Sequence, residues 1–207
     1  MNTCYDLCRR IIDFVLRVFL RFKKCGLEHV PEEGGAIIAS NHAAYIDPPL
    51  LGAASSRELY FLAKKELFRN KLFGWLINKF NAVPISRGAF DRKGLQRSVQ
   101  LLEEGKVLVL FPEGTRSKSG RLMEARPGIG KIALEAGVPI VPAYIQNSRK
   151  LIQALFKGKE IGVTFGSPIE PAWLGRIPKN KDGYRLVGQE IMKRIGLLKE
   201  SPEIEST

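Results

Sequence analysis

The sequence predicts an α/β domain with a mainly parallel central sheet flanked by helices, preceded by one amphipathic helix. Short apolar segments alternate with longer helical segments over most of the 207 residues, which is typical of α/β folds. The segment 107–111 contains no polar residue, as expected for a strand buried on both faces of a sheet. A chain of this length is large enough to bury a core of its own.

The predicted elements follow one another along the chain. The predicted strands are residues 36–40, 59–63, 82–85, 107–111, 138–145 and 161–165. The predicted helices are residues 65–80, 93–103, 129–136 and 184–195. Gly105 and Gly137 are expected to close two of these helices, because glycine readily adopts the left-handed backbone found after a helix. The polar residues after Lys199 are expected to fray.

The N-terminal segment is predicted to be a helix that lies at an interface. No proline or glycine interrupts residues 5–24, and six charged residues fall within a stripe roughly 80° wide on a helical wheel. No apolar run exceeds three residues, far fewer than the ~20 that span a bilayer. The wide apolar arc and the basic residues favour a helix lying on an anionic membrane surface, and packing over the domain core is the alternative. The sequence therefore divides into a membrane-interface helix, 1–25, and a domain, 26–207.

The chain is strongly basic. It has 33 Lys and Arg against 21 Asp and Glu, a net charge of +12 and a pI near 9.8. Such an excess favours polyanionic partners, namely nucleic acid, an anionic membrane or phosphorylated substrates, although a basic surface kept for solubility is an alternative. Aromatic residues are not interleaved with the basic stretches as base stacking requires. Nucleic acid is therefore not the expected partner.

All three cysteines, Cys4, Cys8 and Cys25, lie in the first 25 residues. An odd number confined to one end of the chain is not a disulfide framework, and no histidines join the cysteines in a zinc-binding pattern. A reducing compartment fits this arrangement best. Burial of the thiols is a simpler explanation for them than lipidation or metal binding.

A histidine and an aspartate separated by four residues follow the first strand of the domain. On a straight helix His42 and Asp47 would lie roughly 140° apart, but Pro48 disfavours the helical conformation at Asp47 and suits the first position of a new helix. The two side chains are therefore expected to bracket a loop that folds back and brings them into contact. An imidazole held by a carboxylate can act as a general base. The alternative is an aspartate that caps the helix and an unrelated histidine.

Two arginines follow the ends of two other predicted strands. Arg87 comes after strand 82–85, and Arg116 comes after strand 107–111. Ligands of open α/β sheets bind beyond the carboxyl ends of the strands, and a guanidinium group matches two oxygens of a phosphate. Surface salt bridges are the alternative for each arginine. Glu113, directly after a buried strand, is expected to contact a cation, a backbone amide or a substrate hydroxyl.

Two further segments have open interpretations. Arg126-Pro127-Gly128 precedes a predicted helix whose free amides could bind an anion, although a plain turn is the simpler interpretation. Val138 to Ala143 contains two prolines around an apolar strand. That pattern indicates either the wall of a pocket or an edge strand.

Four sequence blocks, taken together and in order, resemble the glycerolipid acyltransferase family, in particular 1-acylglycerol-3-phosphate acyltransferases. They are Asn41 to Pro48, Val83 to Gly88, Phe111 to Ser117, and Val138 to Ala143. The first and third blocks are specific, whereas the second and fourth would be weak alone. The resemblance implies a glycerol-phosphate acyltransferase-like fold over most of the domain.

The resemblance also implies the reaction and the roles of the site residues. A fatty acyl group would pass from a thioester, acyl-CoA or acyl carrier protein, to the sn-2 hydroxyl of 1-acylglycerol 3-phosphate (lysophosphatidic acid), giving phosphatidic acid. His42 would be the general base, and Asp47 would orient its imidazole. The acceptor-binding residues would be Arg87, Glu113, Gly114, Thr115 and Arg116. By analogy with a lysine after the equivalent strand in the family, Lys64 would stabilise the oxyanion.

No metal or redox cofactor is implied. The expected location is the cytoplasmic side of a membrane, with peripheral or monotopic attachment. Three alternatives remain open: acylation of glycerol 3-phosphate or of another lysophospholipid, hydrolysis of a thioester or ester by the same histidine and aspartate, and a basic nucleic-acid-binding module. The arginine pair argues against hydrolysis, because water needs no phosphate-binding groups.

Overall fold

The computed structural model describes residues 3–85, 92–151 and 160–200 of the chain. Within these ranges, seven strands form one sheet. The strands are β1 Lys23–Cys25, β2 Ala36–Ser40, β3 Leu59–Lys64, β4 Ala82–Ile85, β5 Val107–Leu110, β6 Ile140–Gln146 and β7 Gly162–Phe165. The helices are α1 Thr3–Leu20, α2 Asp47–Ala54, α3 Lys71–Lys79, α4 Arg92–Glu103, α5 Pro127–Ala136, α6 Pro171–Leu174 and α7 Lys181–Glu200.

The sheet is mainly parallel, as predicted. Its strand order is β1-β7-β6-β2-β5-β3-β4. The five strands β2 to β6 run in one direction, β7 runs antiparallel to β6, and β1 runs parallel to β7. The carboxyl ends of β2, β3, β4 and β5 therefore lie along the same edge of the sheet, where α/β proteins place their ligands.

Helices cover both faces of the sheet because successive strand residues point to opposite sides. Ile38 of β2 packs in a cluster with residues of α1 and α2, whereas its neighbour Ile37 packs in a second cluster with residues of α4, α5 and α7. Right-handed crossovers between parallel strands place α2 and α3 on the same face. A ring contact between Tyr5 of α1 and Phe80 after α3, with centroids 6.2 Å apart, agrees with this placement.

The predicted helix over residues 5–24 is wrong at its C-terminal end. Helix α1 ends at Leu20, Arg21 has a φ of 47°, and the next residues form strand β1, which pairs with β7. Lys24 therefore lies in the sheet, where its Nζ contacts an Asp13 carboxylate oxygen at 2.7 Å. Burial lowers the pKa of Lys24, and Asp13 opposes this shift. Pairing of β1 with β7 satisfies the backbone N–H and C=O groups along the edge of β7. These groups would have no strand partner if the helix continued.

Helix α1 turns much of its apolar surface away from the domain. Tyr5, Leu16 and Leu20 are buried against the body. Arg9 donates to the Ser55 carbonyl at 3.0 Å, beside the C-terminal end of α2. Six apolar side chains on the outer face are between 43% and 67% exposed: Leu7, Ile11, Phe14, Val15, Val18 and Phe19. No helix in the described part of the chain is long and apolar enough to cross a membrane.

Several other predicted elements differ in detail. The predicted helix 65–80 is a 3-10 turn, Lys65–Arg69, followed by α3, because the Asn70 side chain accepts a hydrogen bond from the Phe73 amide and begins a new helix. The edge-strand interpretation of residues 138–145 is wrong, since β6 lies between β7 and β2. Helix α7 is longer than predicted. The short helix α2 was expected only as a helix starting near Pro48, without an end, and α6 was not assigned from the sequence.

The close packing of α5 on α7 predicts a test of stability. A Cβ at Gly130 would lie 2.0 Å from the Tyr184 carbonyl oxygen, whereas a Cβ at Gly128 would have no neighbour within 4 Å. We expect Gly130→Ala to lower the free energy of unfolding by about 1–3 kcal/mol, because the helices must separate. Gly128→Ala should be neutral or slightly stabilising. Urea unfolding midpoints of both variants check this, and equal midpoints would contradict the packing.

Candidate active site

His42 and Asp47 are in contact, as the sequence predicted. The His42 Nδ1 atom lies 2.8 Å from the Asp47 Oδ2 atom. The same oxygen accepts hydrogen bonds from the backbone amides of Ala43, at 2.7 Å, and Ala44, at 2.8 Å. These three contacts fold the segment after β2 back on itself, so that the start of α2 lies beside the end of β2.

Asp47 does not act as the N-cap of α2, so the alternative interpretation of this residue is wrong. The helix begins at Asp47 itself, with Ile46 in the capping position. The carboxylate points back into the preceding loop and accepts from the loop amides instead of the helix amides. The side chain of Asp47 is fully buried, so its negative charge requires these donors.

The contacts around Asp47 fix the tautomer of His42. A carboxylate oxygen is an acceptor, so a neutral imidazole that bonds to it must donate through Nδ1–H. The lone pair of the ring then lies on Nε2, where a proton can be taken up. The His42 side chain remains 14% exposed. Its ring also stacks on Phe111, with centroids 4.0 Å apart and planes inclined by 18°, so packing and hydrogen bonding both hold the ring in place.

The loop after β5 holds the main chain of His42 from two sides. The His42 amide donates to Glu113 Oε1 at 3.2 Å. The His42 carbonyl accepts from the Ser117 amide at 2.7 Å. Gly114 has a φ of 66°, a conformation that favours glycine, and its amide donates to the Phe111 carbonyl at 2.9 Å. The tight turn therefore places Glu113 and Ser117 on either side of His42.

Glu113 is almost completely buried behind His42, with an exposed fraction of 2%. Its partner is a backbone amide, which is one of the three kinds of partner expected from the sequence. Burial raises the pKa of Glu113 from its usual 4.5 to about 7, the nearby Asp47 charge adds to this increase, and the His42 amide opposes it. Binding of substrate by this carboxylate stays a prediction.

Arg116 lies over the ring of Tyr45, in the loop between the histidine and the aspartate. The guanidinium carbon is 3.4 Å from the ring centroid, which is a close cation–π contact. Tyr45 is 79% exposed, so the pair lies at the protein surface beside the His42 loop. Thr115 is also exposed. A guanidinium in a cation–π contact can still donate its N–H groups to an anion.

The other predicted site residues are less closely defined. Lys64 is exposed at the end of β3 and is level with Ile85 of β4. Because β5 separates β3 from β2, Lys64 is about 10 Å, or two strand spacings, from the line of β2. Arg87 lies outside the described residues. Within the described ranges, no three His, Cys, Asp or Glu side chains gather to hold a metal ion.

Four residues contribute contacts that the sequence analysis did not assign. Tyr45 contacts Arg116, and both Phe111 and Ser117 contact His42, as described above. Asn41 bonds to β6 through both ends of its amide: Nδ2 donates to the Ile145 carbonyl at 3.0 Å, and Oδ1 accepts from the Ile145 amide at 2.7 Å. All four lie within the sequence blocks that resemble the acyltransferase family, so the sequence indicated their positions but not their contacts.

The raised pKa of Glu113 predicts a pH-dependent stability. Its folded value, about 7, lies above the usual 4.5, so the folded state binds more protons between these values and stability falls as pH rises. We expect wild type to lose up to about 3 kcal/mol of unfolding free energy relative to Glu113→Gln between pH 4.5 and pH 7. Denaturant unfolding of both proteins across this range is the measurement. Parallel curves would contradict the burial of a titrating carboxyl group.

The chain is similar in sequence to several known acyltransferases. A 1-acyl-sn-glycerol-3-phosphate acyltransferase of Bacillus subtilis is 28% identical over 192 residues, which are 92% of this chain and 94% of that protein. A lyso-ornithine lipid O-acyltransferase of Pseudomonas aeruginosa is 38% identical over 111 residues, 53% of this chain and 42% of the relative. A chloroplastic 1-acyl-sn-glycerol-3-phosphate acyltransferase of Arabidopsis thaliana is 32% identical over 132 residues, 61% of this chain and 36% of the relative.

The fold and a family model give the same result. The crystal structure of a 1-acyl-sn-glycerophosphate acyltransferase from Thermotoga maritima superimposes with a TM-score of 0.73 and 24% identity, over 95% of this chain and 80% of that chain. The family model described as Acyltransferase matches residues 21–146, which include β2, β5 and the loops that hold His42. With more than half of its length matched by that model, the chain belongs to the acyltransferase family.

Proposed function

We propose that the protein transfers a fatty acyl group from a thioester to the sn-2 hydroxyl of 1-acylglycerol 3-phosphate, giving phosphatidic acid. The observation that carries this proposal is the His42 imidazole, bonded through Nδ1 to the buried Asp47 and left with a lone pair on Nε2. The relatives from Bacillus and Arabidopsis, by their names, support the acceptor. The donor would be acyl-CoA or acyl carrier protein.

In the proposed reaction, His42 acts as a general base. Nε2 takes the proton of the acceptor hydroxyl as its oxygen attacks the thioester carbonyl, forming the new C–O bond. The tetrahedral intermediate then collapses, the C–S bond breaks, and the proton passes from Nε2 to the leaving thiolate. Asp47 stabilises the imidazolium during this cycle. No covalent acyl-enzyme is required, because the activated hydroxyl attacks the thioester directly.

Arg116 is proposed to bind the phosphate of the acceptor. Its contact with Tyr45, which belongs to the loop between His42 and Asp47, supports a position beside the proposed base. A phosphate anchored there would bring the glycerol hydroxyl toward Nε2 and reduce the entropy lost in the reaction. Gly114, Thr115 and the carboxylate of Glu113 are proposed to complete this acceptor site.

Two further residues have proposed roles that rest mainly on the family resemblance. Arg87 is proposed to share the phosphate with Arg116. Lys64 is proposed to stabilise the oxyanion of the tetrahedral intermediate. Its position at the carboxyl end of β3, on the same edge of the sheet as His42, supports this role.

The acceptor is a membrane lipid, so the enzyme is proposed to work at an anionic membrane surface on the cytoplasmic side, attached peripherally or as a monotopic protein. The outward apolar face of α1 supports this attachment. Part of the charged side of the helix is turned inward, where Arg9 and Asp6 form a partly buried ion pair at 2.9 Å, whereas Arg10 and Arg17 remain exposed. A helix that only covered its own core would have the opposite arrangement.

A second candidate acceptor is another lysophospholipid or lyso-lipid. The relative from Pseudomonas is named for the acylation of a lyso-ornithine lipid. Glycerol 3-phosphate is a third possible acceptor. An acceptor panel, assayed with both donor types by release of the free thiol, discriminates among these substrates.

The proposed general base predicts a sharp loss of activity on its removal. We expect His42→Ala to lower kcat by about 10²–10⁴-fold, the usual contribution of a general base. Asp47→Asn should also lower kcat strongly, because the imidazolium loses its charged partner. The measurement is acyl transfer to 1-acylglycerol 3-phosphate, with circular dichroism as the folding control. A folded His42→Ala enzyme that retained most of its activity would refute this mechanism.

The stacked pair predicts a change in acceptor binding. We expect Arg116→Ala to raise the acceptor KM by about tenfold or more, the equivalent of at least 1.4 kcal/mol, with a smaller change in kcat. Tyr45→Ala should raise the acceptor KM less, because the guanidinium is kept but no longer held. Tyr45→Phe retains the ring and is the matched control. An unchanged acceptor KM in both alanine variants would exclude this phosphate site.

A further inference from the structure

A second exposed apolar surface lies on α3 and on the 3-10 turn before it. Leu72 is 77% exposed and Trp75 is 60% exposed. We define the α3 patch as these two residues together with Leu67, Phe73 and Leu76, which are between 41% and 44% exposed. Exposed apolar patches that contain large aromatic side chains mark interaction sites.

Three residues of the α3 patch lie on one side of helix α3. Leu72, Trp75 and Leu76 follow the spacing i, i+3, i+4 and therefore share one side. Gly74 is buried on the opposite side, where a Cβ would lie only 3.0 Å from the Phe68 carbonyl oxygen. Helix α3 therefore packs closely on the preceding 3-10 turn through Gly74 and turns its bulky apolar residues to solvent.

The charges around the patch indicate an anionic partner. Between residues 64 and 80 there are five basic side chains and one acidic side chain. The basic residues, all exposed, are Lys64, Lys65, Arg69, Lys71 and Lys79. Lysine is depleted in protein–protein interfaces, whereas lysine around aromatic and aliphatic residues is typical of elements that bind anionic bilayers. Tryptophan is also enriched at the level of lipid headgroups.

The position of α3 agrees with a membrane partner. The ring contact of Tyr5 with Phe80 places the N-terminal end of α1 beside the C-terminal end of α3. Both helices lie on the same face of the sheet as α2, and both turn apolar side chains outward. The 3-10 turn Lys65–Arg69 begins directly after the carboxyl end of β3, on the sheet edge that carries His42. A bilayer against the α3 patch would therefore lie beside the proposed active site.

We propose that the α3 patch is a second lipid-binding element, which inserts into the headgroup region of an anionic phospholipid bilayer next to α1. This inference rests on the proposed use of a membrane-borne acceptor. Two separated contacts fix the orientation of a protein on a membrane surface, whereas a single helix lying on that surface does not. The sheet edge with His42 would then face the lipid from which the acceptor arrives.

The two tryptophans of the chain permit a direct test. Trp75 belongs to the α3 patch, whereas Trp173 packs partly buried in the cluster on the opposite face of the sheet. The full chain with Trp173→Phe has Trp75 as its one tryptophan, and the full chain with Trp75→Phe is the matched control. We expect brominated phosphatidylcholine, mixed with phosphatidylglycerol, to quench Trp75 fluorescence and to leave Trp173 fluorescence unchanged. Unquenched Trp75 on vesicles that bind the protein would overturn the inference.

Substitutions test whether the patch contributes to affinity. We expect the double variant Leu72→Glu and Trp75→Glu to bind vesicles of phosphatidylcholine and phosphatidylglycerol about tenfold more weakly or worse, and to lose more activity on vesicle-borne acceptor than on a water-soluble short-chain acceptor. Leu186→Glu is the control, since Leu186 is 44% exposed on α7, and it should leave both properties unchanged. Equal binding by the double variant and wild type would refute the proposal.

Other outcomes separate this inference from its alternatives. If Phe14→Glu in α1 abolishes vesicle binding while the double variant binds normally, α1 is the only membrane contact and the inference fails. If wild type is a dimer in solution and the double variant is a monomer by light scattering, the patch is an interface between two copies, which also overturns it. If Trp75 is quenched but no acceptor is acylated, the proposed function fails and the lipid-binding element stands.

Discussion

The buried carboxylate of Asp47 is the constraint on which the proposed site depends. One oxygen of this side chain accepts from the His42 ring and from the amides of Ala43 and Ala44, and the side chain is fully buried. A charge without these donors would be costly in such a place. The loop after β2 therefore closes onto the start of α2. Because Asp47 at the start of α2 bonds to the His42 ring, the relative positions of β2 and α2 set the orientation of the imidazole.

The register of the sheet supplies the second support of His42. Ala39 of β2 is paired with Leu110 of β5. His42 lies three residues after Ala39, and Glu113 lies three residues after Leu110. Equal distances along parallel strands place them level, and the Glu113 carboxylate reaches the His42 amide. The apolar strand β5 thus has a double function: its burial forms the core, and its end places a loop against His42. A shift of register in this pair would separate the two residues.

The fold and the contact of His42 with Asp47 could be predicted from the sequence because both depend on local patterns: apolar runs for the strands, and a proline at the start of the next helix. Strand β1 was missed because three residues that include two lysines have no strand signal, and only the open edge of β7 makes them pair. The stacking of Tyr45 with Arg116 was missed for a similar reason. It joins residues 71 positions apart, and no pattern in either segment indicates the other.

Helix α2 connects the proposed membrane contact with the proposed base. Its first residue is Asp47, and its last turn provides the Ala53 carbonyl, which accepts from Lys24 at 2.8 Å. Arg9 of α1 donates to the Ser55 carbonyl just beyond this end, where cationic groups are favourable beside the helix dipole. The helix is eight residues long, about 12 Å at the α-helical rise. The element that turns its apolar face outward is therefore attached to one end of a short rigid helix, and the carboxylate that orients His42 is at the other.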